Sequence, residues 1–567
     1  MPAADRRRWA WPVAVAALVL AALALRLYGL RHGLPFVYNA DENAHFVAGA
    51  IGMFGHTYNP NYFINPPAFT YLLHAAFQVG FGGRAGVSEA YAADPGDVFA
   101  VARALSGVLG AVAVALLVAA GTRLFDRRIG FVAAALLAVA FLPVHYAHLA
   151  LNDVPTLAPL CLALVGVGGV FARGRLLDYA LAGAGLGLAC ATKYTGGIVL
   201  LPLLAAAAVA PGQAVGRRVG GLALAGGLAL ACFLLANPFA LLDYDAFRDG
   251  LSEQSAASSD GGGKLGLTAS SGILYYLETT TWGLGWVPAL AALGGAIALS
   301  LRDWRRALVL VPPLVLFLLF MGTQDRFFAR WLLPVYPFAC LLAAYGAVTL
   351  AAWVLERAGR PRPAWAAAAA GVLLCAQGLV FAIHNDVVLA RADTRQLARE
   401  WMVANVPPGT RVVIEPVMPD SWASDPGRAL RGTTGNGARW AKWPTSRSRL
   451  NADGTLRKGG LGPIVKLEDY ERTLFPELVR QYVDRGYCTV LTGSTQFGRA
   501  LAEPEDVPRA LRYYDELRRR GRVVFRARQP VRRFSFDFSF NSYPLSFERP
   551  GPEIVIYRLT GGKCRGR

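Results

Sequence analysis

Charge is scarce in this chain, and metal-binding and redox patterns are missing from it. Charged residues make up 17% of the 567, against roughly 25% in soluble globular domains, so most of the chain lacks the means to build a charged surface. Seven cysteines (161, 190, 232, 340, 375, 488 and 564) stand mostly alone within apolar runs, with no CxxC and no Cys/His cluster. That excludes a zinc ribbon and a disulfide framework. Only Cys488 and Cys564 share the C-terminal third, and nothing in the sequence requires them to pair. No nucleic-acid-binding motif occurs, so the net charge of +19 needs another explanation.

Apolar residues supply 54% of the chain. Up to about Ile383 they form Ala/Leu/Val/Gly runs broken by short Arg-rich loops. A helix crosses a bilayer with about 17–25 residues, and eleven runs are read as spans: roughly 10–30, 98–120, 129–149, 153–171, 178–194, 196–210, 219–238, 280–300, 306–322, 328–354 and 363–383. The fifth and sixth are short. The first follows Arg6-Arg7-Arg8, lacks a convincing cleavage site and reaches Arg26 and Tyr28 at an interface, so it reads as a retained anchor rather than a signal peptide.

Arginines orient the spans. Alternate loops carry Arg123/Arg127/Arg128, Arg173/Arg175, Arg217/Arg218, Arg302/Arg305/Arg306 and Arg357/Arg360/Arg362, which the positive-inside rule assigns to the cytoplasm together with the N-terminus. The odd span count then puts the C-terminal part outside. The expected fold class is a polytopic α-helical membrane protein of about 11 transmembrane helices (1–383), set in an inner or plasma membrane, with an external soluble α/β domain (384–567).

In that domain a helix-then-strand order repeats at 393–403 and 411–414, at 474–485 and 487–491, and at 509–520 and 522–527, before a closing strand at 553–558. A largely parallel sheet is expected. Basic residues exceed acidic ones there by 12, which suits anionic headgroups or a phosphorylated glycan.

Two outer loops are unusual. The first, about 31–97, is too long for a plain connector. It holds a short helix at 41–54, with Asp41 and His45 four apart on one face, and a second helix at 68–79 that starts after Pro66-Pro67. Both are expected to lie along the membrane surface. The other loop, 239–279, contains the polar run Ser255 to Gly263, by composition either a mobile lid or a disordered connector.

Polar residues at the outer ends of the spans are the functional candidates. Asp41-Glu42 places two carboxylates at a membrane exit, a costly position. His145, His148, Asp153, Lys193, Arg326 and Arg330 fall on the same side. Each also has a plain reading: helix capping for Asp41 and Asp153, interfacial packing for the histidines, and snorkelling or headgroup anchoring for Lys193 and the arginines.

Five segments, taken in order, carry a resemblance. They are Asp41-Glu42, Asn65-Pro66-Pro67, His145 to Asp153-Val154-Pro155, Thr192-Lys193-Tyr194, and Arg326 to Pro337. The chain resembles the GT-C glycosyltransferases that use polyprenyl-phosphate sugars, the group of protein O-mannosyltransferases and aminoarabinose transferases. The resemblance covers most of the first 340 residues. It implies transfer of a hexose or pentose, with inversion, from a polyprenyl-phosphate donor to a protein, lipid or polysaccharide acceptor on the external face. Asp41 would act as the base or position the acceptor, with Asp153 as a second catalytic carboxylate and Glu42 orienting the loop or a neighbouring cation. Lys193, Arg326 and Arg330 would hold the donor phosphate, supported by His45, Asn65, His145, His148 and Tyr194. Several relatives carry an acidic residue and a lysine just before the Pro-Pro pair, where this chain has Ile64-Asn65. A divalent metal is therefore not indicated; Asp41, His45 and Asp153 are the residues that could ligate one. The rival classes are a secondary transporter and a non-catalytic scaffold. The charges cluster at external ends rather than at mid-membrane, and no inverted repeat is visible, which disfavours transport. A scaffold would leave Asp41-Glu42 unexplained.

Overall fold

The computed structural model describes residues 3–55, 57–259, 265–267, 271–360, 363–425, 438–443, 470–529, 534–535, 537–538 and 545–565. Among these, seven helices are long and apolar enough to cross a bilayer: Trp9–Leu27, Pro95–Leu124, Val215–Ala236, Gly272–Arg302, Trp304–Gly322, Ala329–Arg357 and Ala364–Asn405. Arg127–Val139 and Phe141–Ala147 form an eighth span bent by 55°. Three shorter apolar helices, Leu157–Ala172, Leu176–Thr192 and Tyr194–Val209, take the places of the fourth to sixth runs. The protein is a multi-pass membrane protein.

The bend has a visible consequence. Ala140 leaves helical geometry (ψ 130°), so the carbonyls just before it lose their helical partners. Arg26 donates to Leu137 O and Ala138 O at 3.1 and 2.9 Å, and to Ala22 O at 2.9 Å. The arginine read as an interfacial residue is buried and caps a broken helix. Close backbone packing holds the short helices. A Cβ on Gly183 would stand 2.2 Å from Ala225 O, and one on Gly187 would stand 2.1 Å from Ala229 O. In lipid, where apolar side chains gain little by leaving hydrocarbon, such small-residue contacts are what join helices.

The 31–97 loop contains a π-turn, Glu42–Phe46, that runs into the helix Val47–Gly52. Ala68–Phe81 follows as expected, and a further helix, Arg84–Ala93, was not anticipated. The 239–279 loop is more structured than its composition suggested: it forms helices Phe239–Leu242, Tyr244–Ser259 and Gly272–Thr280. The polar run is helical through Ser259, while Asp260–Gly263 lie outside the described residues. Within the stretch Ala364–Asn405 the helix runs to Leu389, six residues past the anticipated boundary, and regular helix is interrupted at 390–393. The next, Thr394–Asn405, opens on a capping box between Asp393 and Gln396, which satisfies two otherwise free backbone N–H groups.

Among the described residues the soluble part holds five strands: β1 (Arg411–Ile414), β2 (Ala441–Lys442), β3 (Thr489–Gly493), β4 (Gly521–Ala527) and β5 (Ile554–Leu559). Their order is β2-β1-β3-β5-β4. β1 runs parallel to β2 and β3, but β5 is antiparallel to β3 and β4, so the sheet is mixed rather than largely parallel. The cause is the closing strand. Ile554, Val555, Ile556 and Tyr557 are all buried, whereas in β4 only Ala527 is. A near-continuous apolar strand takes the covered slot, and β4 is left at the edge.

Cys488 and Cys564 are bonded, with Cα atoms 5.5 Å apart, which ties the entry of β3 to the C-terminal tail. Cross-linking a 76-residue separation restricts the unfolded chain. Replacing both cysteines by serine should lower the stability of this domain by about 2–4 kcal/mol, read as a fall in its melting temperature that matches the effect of reductant on the parent protein.

Candidate functional site

The two carboxylates of Asp41-Glu42 part company. Glu42 turns inward and is fully buried. Its Oε1 and Oε2 accept from Arg103 Nε and Nη2 at 2.7 and 2.9 Å, and Oε1 also accepts from Ala150 N–H at 3.0 Å. Arg103 donates further to Leu30 O and His32 O, both at 2.8 Å. This two-pronged pair fastens the first loop to the helix Pro95–Leu124 and to the second outer segment. Both roles expected for Glu42, orienting the loop and orienting a neighbouring cation, are compatible with this geometry. Arg103, two turns into an apolar span, was missed, although an arginine in such a place is itself a signal.

Asp41 turns the other way. Its side chain makes no cap to the turn that follows. Instead Oδ2 accepts from Arg330 Nη2 at 2.6 Å, across 289 residues of sequence. Asp153 likewise does not cap; Thr156 stands at the start of Leu157–Ala172, and Asp153 Oδ1 is paired with Lys193 Nζ. Lys193 ends the helix Leu176–Thr192 in extended backbone (φ −154°, ψ 127°). Its side chain is 12% exposed, so it does not snorkel.

Smaller contacts knit these segments together. Asn152 Nδ2 donates to Thr192 O at 2.8 Å, and Tyr194 Oη donates to Phe63 O at 2.9 Å. Asn65 Nδ2 donates to Tyr62 Oη at 3.0 Å. His45 stacks on Tyr62, with ring centroids 4.5 Å apart. Hence Asp41, His45 and Asp153 do not converge on one point, and among the described residues no group of three His, Cys, Asp or Glu is placed to hold a metal ion. The other two histidines are buried rather than interfacial. His145 Nδ1 meets Asn385 Oδ1 at 2.7 Å, and His148 lies between Val144 O and Tyr28 O at 2.9 and 2.8 Å. They brace the bent span against its neighbours.

Two adjoining chambers result. The inner one, about 610 Å³, is lined by Asp153, Lys193, Tyr194 and Asn152 and flanked by Leu251 and Phe320. The outer one, about 530 Å³, lies between the first loop and the soluble domain and includes Asn43, Tyr62, Arg326, Arg395, Thr495 and Arg499. Asp41, Asn65, Gln254, Arg330 and Trp331 line both, so the Asp41–Arg330 pair stands in their common wall. Arg326 faces the outer chamber alone.

The soluble domain reaches into this wall through a residue the sequence did not mark. Asp537 Oδ1 accepts from Ala329 N–H at 3.1 Å, and Oδ2 accepts from Tyr275 Oη. It thereby holds the backbone beside Arg330. Burial raises this carboxyl above the usual carboxylate range, opposed by those two hydrogen bonds and by the Arg330 charge.

The family model for the dolichyl-phosphate-mannose-protein mannosyltransferases matches residues 95–236, a stretch that contains Asp153 and Lys193 but neither Asp41 nor Arg330. Among solved structures, the chain is similar to the oligosaccharyltransferase AglB of Archaeoglobus fulgidus, in complex with an inhibitory peptide and a dolichol-phosphate. There the identity is 13%, covering 91% of this chain and 73% of that one, with a TM-score of 0.51. It is also similar to ArnT of Cupriavidus metallidurans in the apo state, at 13% identity over 96% of this chain and 97% of that one, with a TM-score of 0.50. The chain has the GT-C glycosyltransferase fold. No curated protein matches it in sequence. The GT-C architecture suggested by the five segments thus extends over nearly the whole chain. The identities are low enough that the site residues rest on this chain's own geometry.

Proposed function

We propose that this GT-C protein transfers one monosaccharide, a hexose or pentose, from a polyprenyl-phosphate donor to an acceptor at the outer face of the membrane. The observation that carries the reading is the Asp41–Arg330 pair in the wall common to two chambers, one of which holds the Asp153–Lys193 pair. The dolichol-phosphate in the AglB complex supports a lipid phosphate as the donor carrier.

The donor phosphate enters the inner chamber. Lys193 offers N–H groups beyond the one that meets Asp153, and Arg330 offers the rest of its guanidinium. As the bond from the sugar C1 to the phosphate oxygen breaks, charge grows on the phosphate, and these two cations compensate it. Asp153 aims Lys193. The acceptor hydroxyl approaches from the outer chamber, gives its proton to Asp41 and attacks C1 on the face opposite the departing phosphate, so the configuration inverts. Phe320 and Leu251 are about half exposed and give the polyprenyl tail a flank that opens to the bilayer. We assign the chambers and the soluble domain to the external side, on the alternation of Arg-rich loops and the Cys488–Cys564 bridge, which suits an oxidising compartment.

The test is transfer of radiolabel from undecaprenyl-phosphate sugars by the purified protein in nanodiscs supplied with cell-envelope extract. Labelled product whose anomeric configuration is opposite to the donor's is expected. Absence of transfer from hexosyl and pentosyl donors alike rejects the reading. Lys193→Ala should weaken undecaprenyl phosphate binding by about tenfold or more, the scale of one lost charge-assisted hydrogen bond. Unchanged affinity in a binding titration would remove Lys193 from the phosphate site.

A further inference from the structure

We infer that the outer chamber is the acceptor subsite and that it takes a saccharide bearing one anionic group, a phosphate or a carboxylate, seated on Arg326. This rests on the reading that the donor phosphate occupies the inner chamber.

Arg326 and Arg330 are four apart in sequence, yet the segment between them is not a regular helix. Phe328 is extended (φ −136°, ψ 139°), and Ala329–Val335 is a tight 3-10 turn. The two guanidinium groups therefore separate, Arg330 into the shared wall and Arg326 into the outer chamber alone.

Charge in that chamber is balanced at three of its four arginines. Arg330 is paired with Asp41 at 2.6 Å. Arg395 is held by both oxygens of Asp393, at 2.9 and 2.8 Å, and lies 3.7 Å over the Tyr38 ring. Arg499 meets Glu471 at 3.1 Å and donates to Leu265 O at 2.9 Å. Among the described residues Arg326 has no carboxylate or carbonyl partner, and its Nε is buried without an acceptor. A guanidinium N–H removed from water and left unpaired is destabilising, and an anionic ligand removes that cost.

The remaining lining indicates what carries the anion. Thr495, on the soluble-domain side, is 4% exposed, and its buried hydroxyl has no partner. Tyr62 and Trp331 present rings, while Asn43 and Asn65 present amides. Aromatic faces interleaved with amide and hydroxyl groups suit a sugar ring, which has apolar faces and hydroxyl edges. A volume of about 530 Å³ suits the terminal one or two sugars of a glycan. The anion on Arg326 then orients the ring while one of its hydroxyls reaches Asp41.

The experiment uses the full-length protein in nanodiscs and saturation-transfer NMR titrations with glucose, glucose 6-phosphate and glucuronate, beside a separate titration with undecaprenyl phosphate. At least one charged sugar should bind about tenfold or more tightly than glucose, and which one does so identifies the anion as phosphate or carboxylate. R326Q should abolish that preference and leave undecaprenyl phosphate binding unchanged, while R326K keeps part of the preference. Equal binding of all three sugars, or a preference that survives R326Q, overturns the inference. If R326Q weakens undecaprenyl phosphate instead, Arg326 belongs with the donor; the inference then falls while the proposed function stands. If Lys193→Ala leaves undecaprenyl phosphate binding intact, the donor-site reading itself fails.

Discussion

Replacing Asp41 by asparagine should cut sugar transfer by about 10²–10⁴-fold, the range for loss of a positioned general base, while the protein stays folded. Asparagine keeps the shape and removes both the charge and the proton-accepting carboxylate. The Asp41 side chain is 40% exposed and that of Arg330 15%, so the loss of the pair is partly offset by solvent, and the melting temperature should fall far less than for a fully buried pair. The kinetic pattern is also specific. With Asp41 neutral, Arg330 keeps its full charge for the donor phosphate, so donor affinity should hold or tighten while kcat falls. Steady-state kinetics at varied donor concentration check this. Near-normal turnover by a pure, folded variant would exclude Asp41 as the base.

Glu42→Ala should behave in the opposite way, damaging the fold before the chemistry. It strands Arg103, which is 1% exposed, and takes the acceptor from Ala150 N–H. Breaking a buried pair from one side costs about 3–5 kcal/mol, because the remaining charge is uncompensated. The expected result is a large drop in melting temperature, with activity falling in step with the folded fraction. Adding Arg103→Leu should recover part of the stability, since an apolar side chain in that place has no charge to satisfy. A Glu42→Ala protein as stable as the parent but inactive would move Glu42 into the reaction. Adjacent carboxylates are thus expected to separate cleanly, one by rate and one by stability.

Most of the architecture is legible in the chain because long apolar runs and arginine-rich breaks are local signals. Each of the eleven runs became helical, and the repeated helix-then-strand order of the soluble domain appeared within a few residues of expectation. Helix length is the exception: 157–172, 176–192 and 194–209 are shorter than the other spans, and the packing of 176–192 through Gly183 and Gly187 depends on the partner helix Val215–Ala236 rather than on its own composition.

By itself the sequence determined which side chains were out of place. Asp41, Asp153, Lys193 and Arg330 announce themselves because charge at an apolar boundary is costly wherever the rest of the chain lies. Tertiary structure alone decided what each one meets. Asp41 finds Arg330 over 289 residues, Glu42 finds Arg103, and Arg326 is kept out of the inner chamber that Arg330 reaches by one extended residue, Phe328. Asp537 joins from a soluble segment with no pattern to betray it. The division follows from range: the cost of a charge beside lipid is set by the residues next to it, whereas the partner that offsets that cost is set by how distant helices pack.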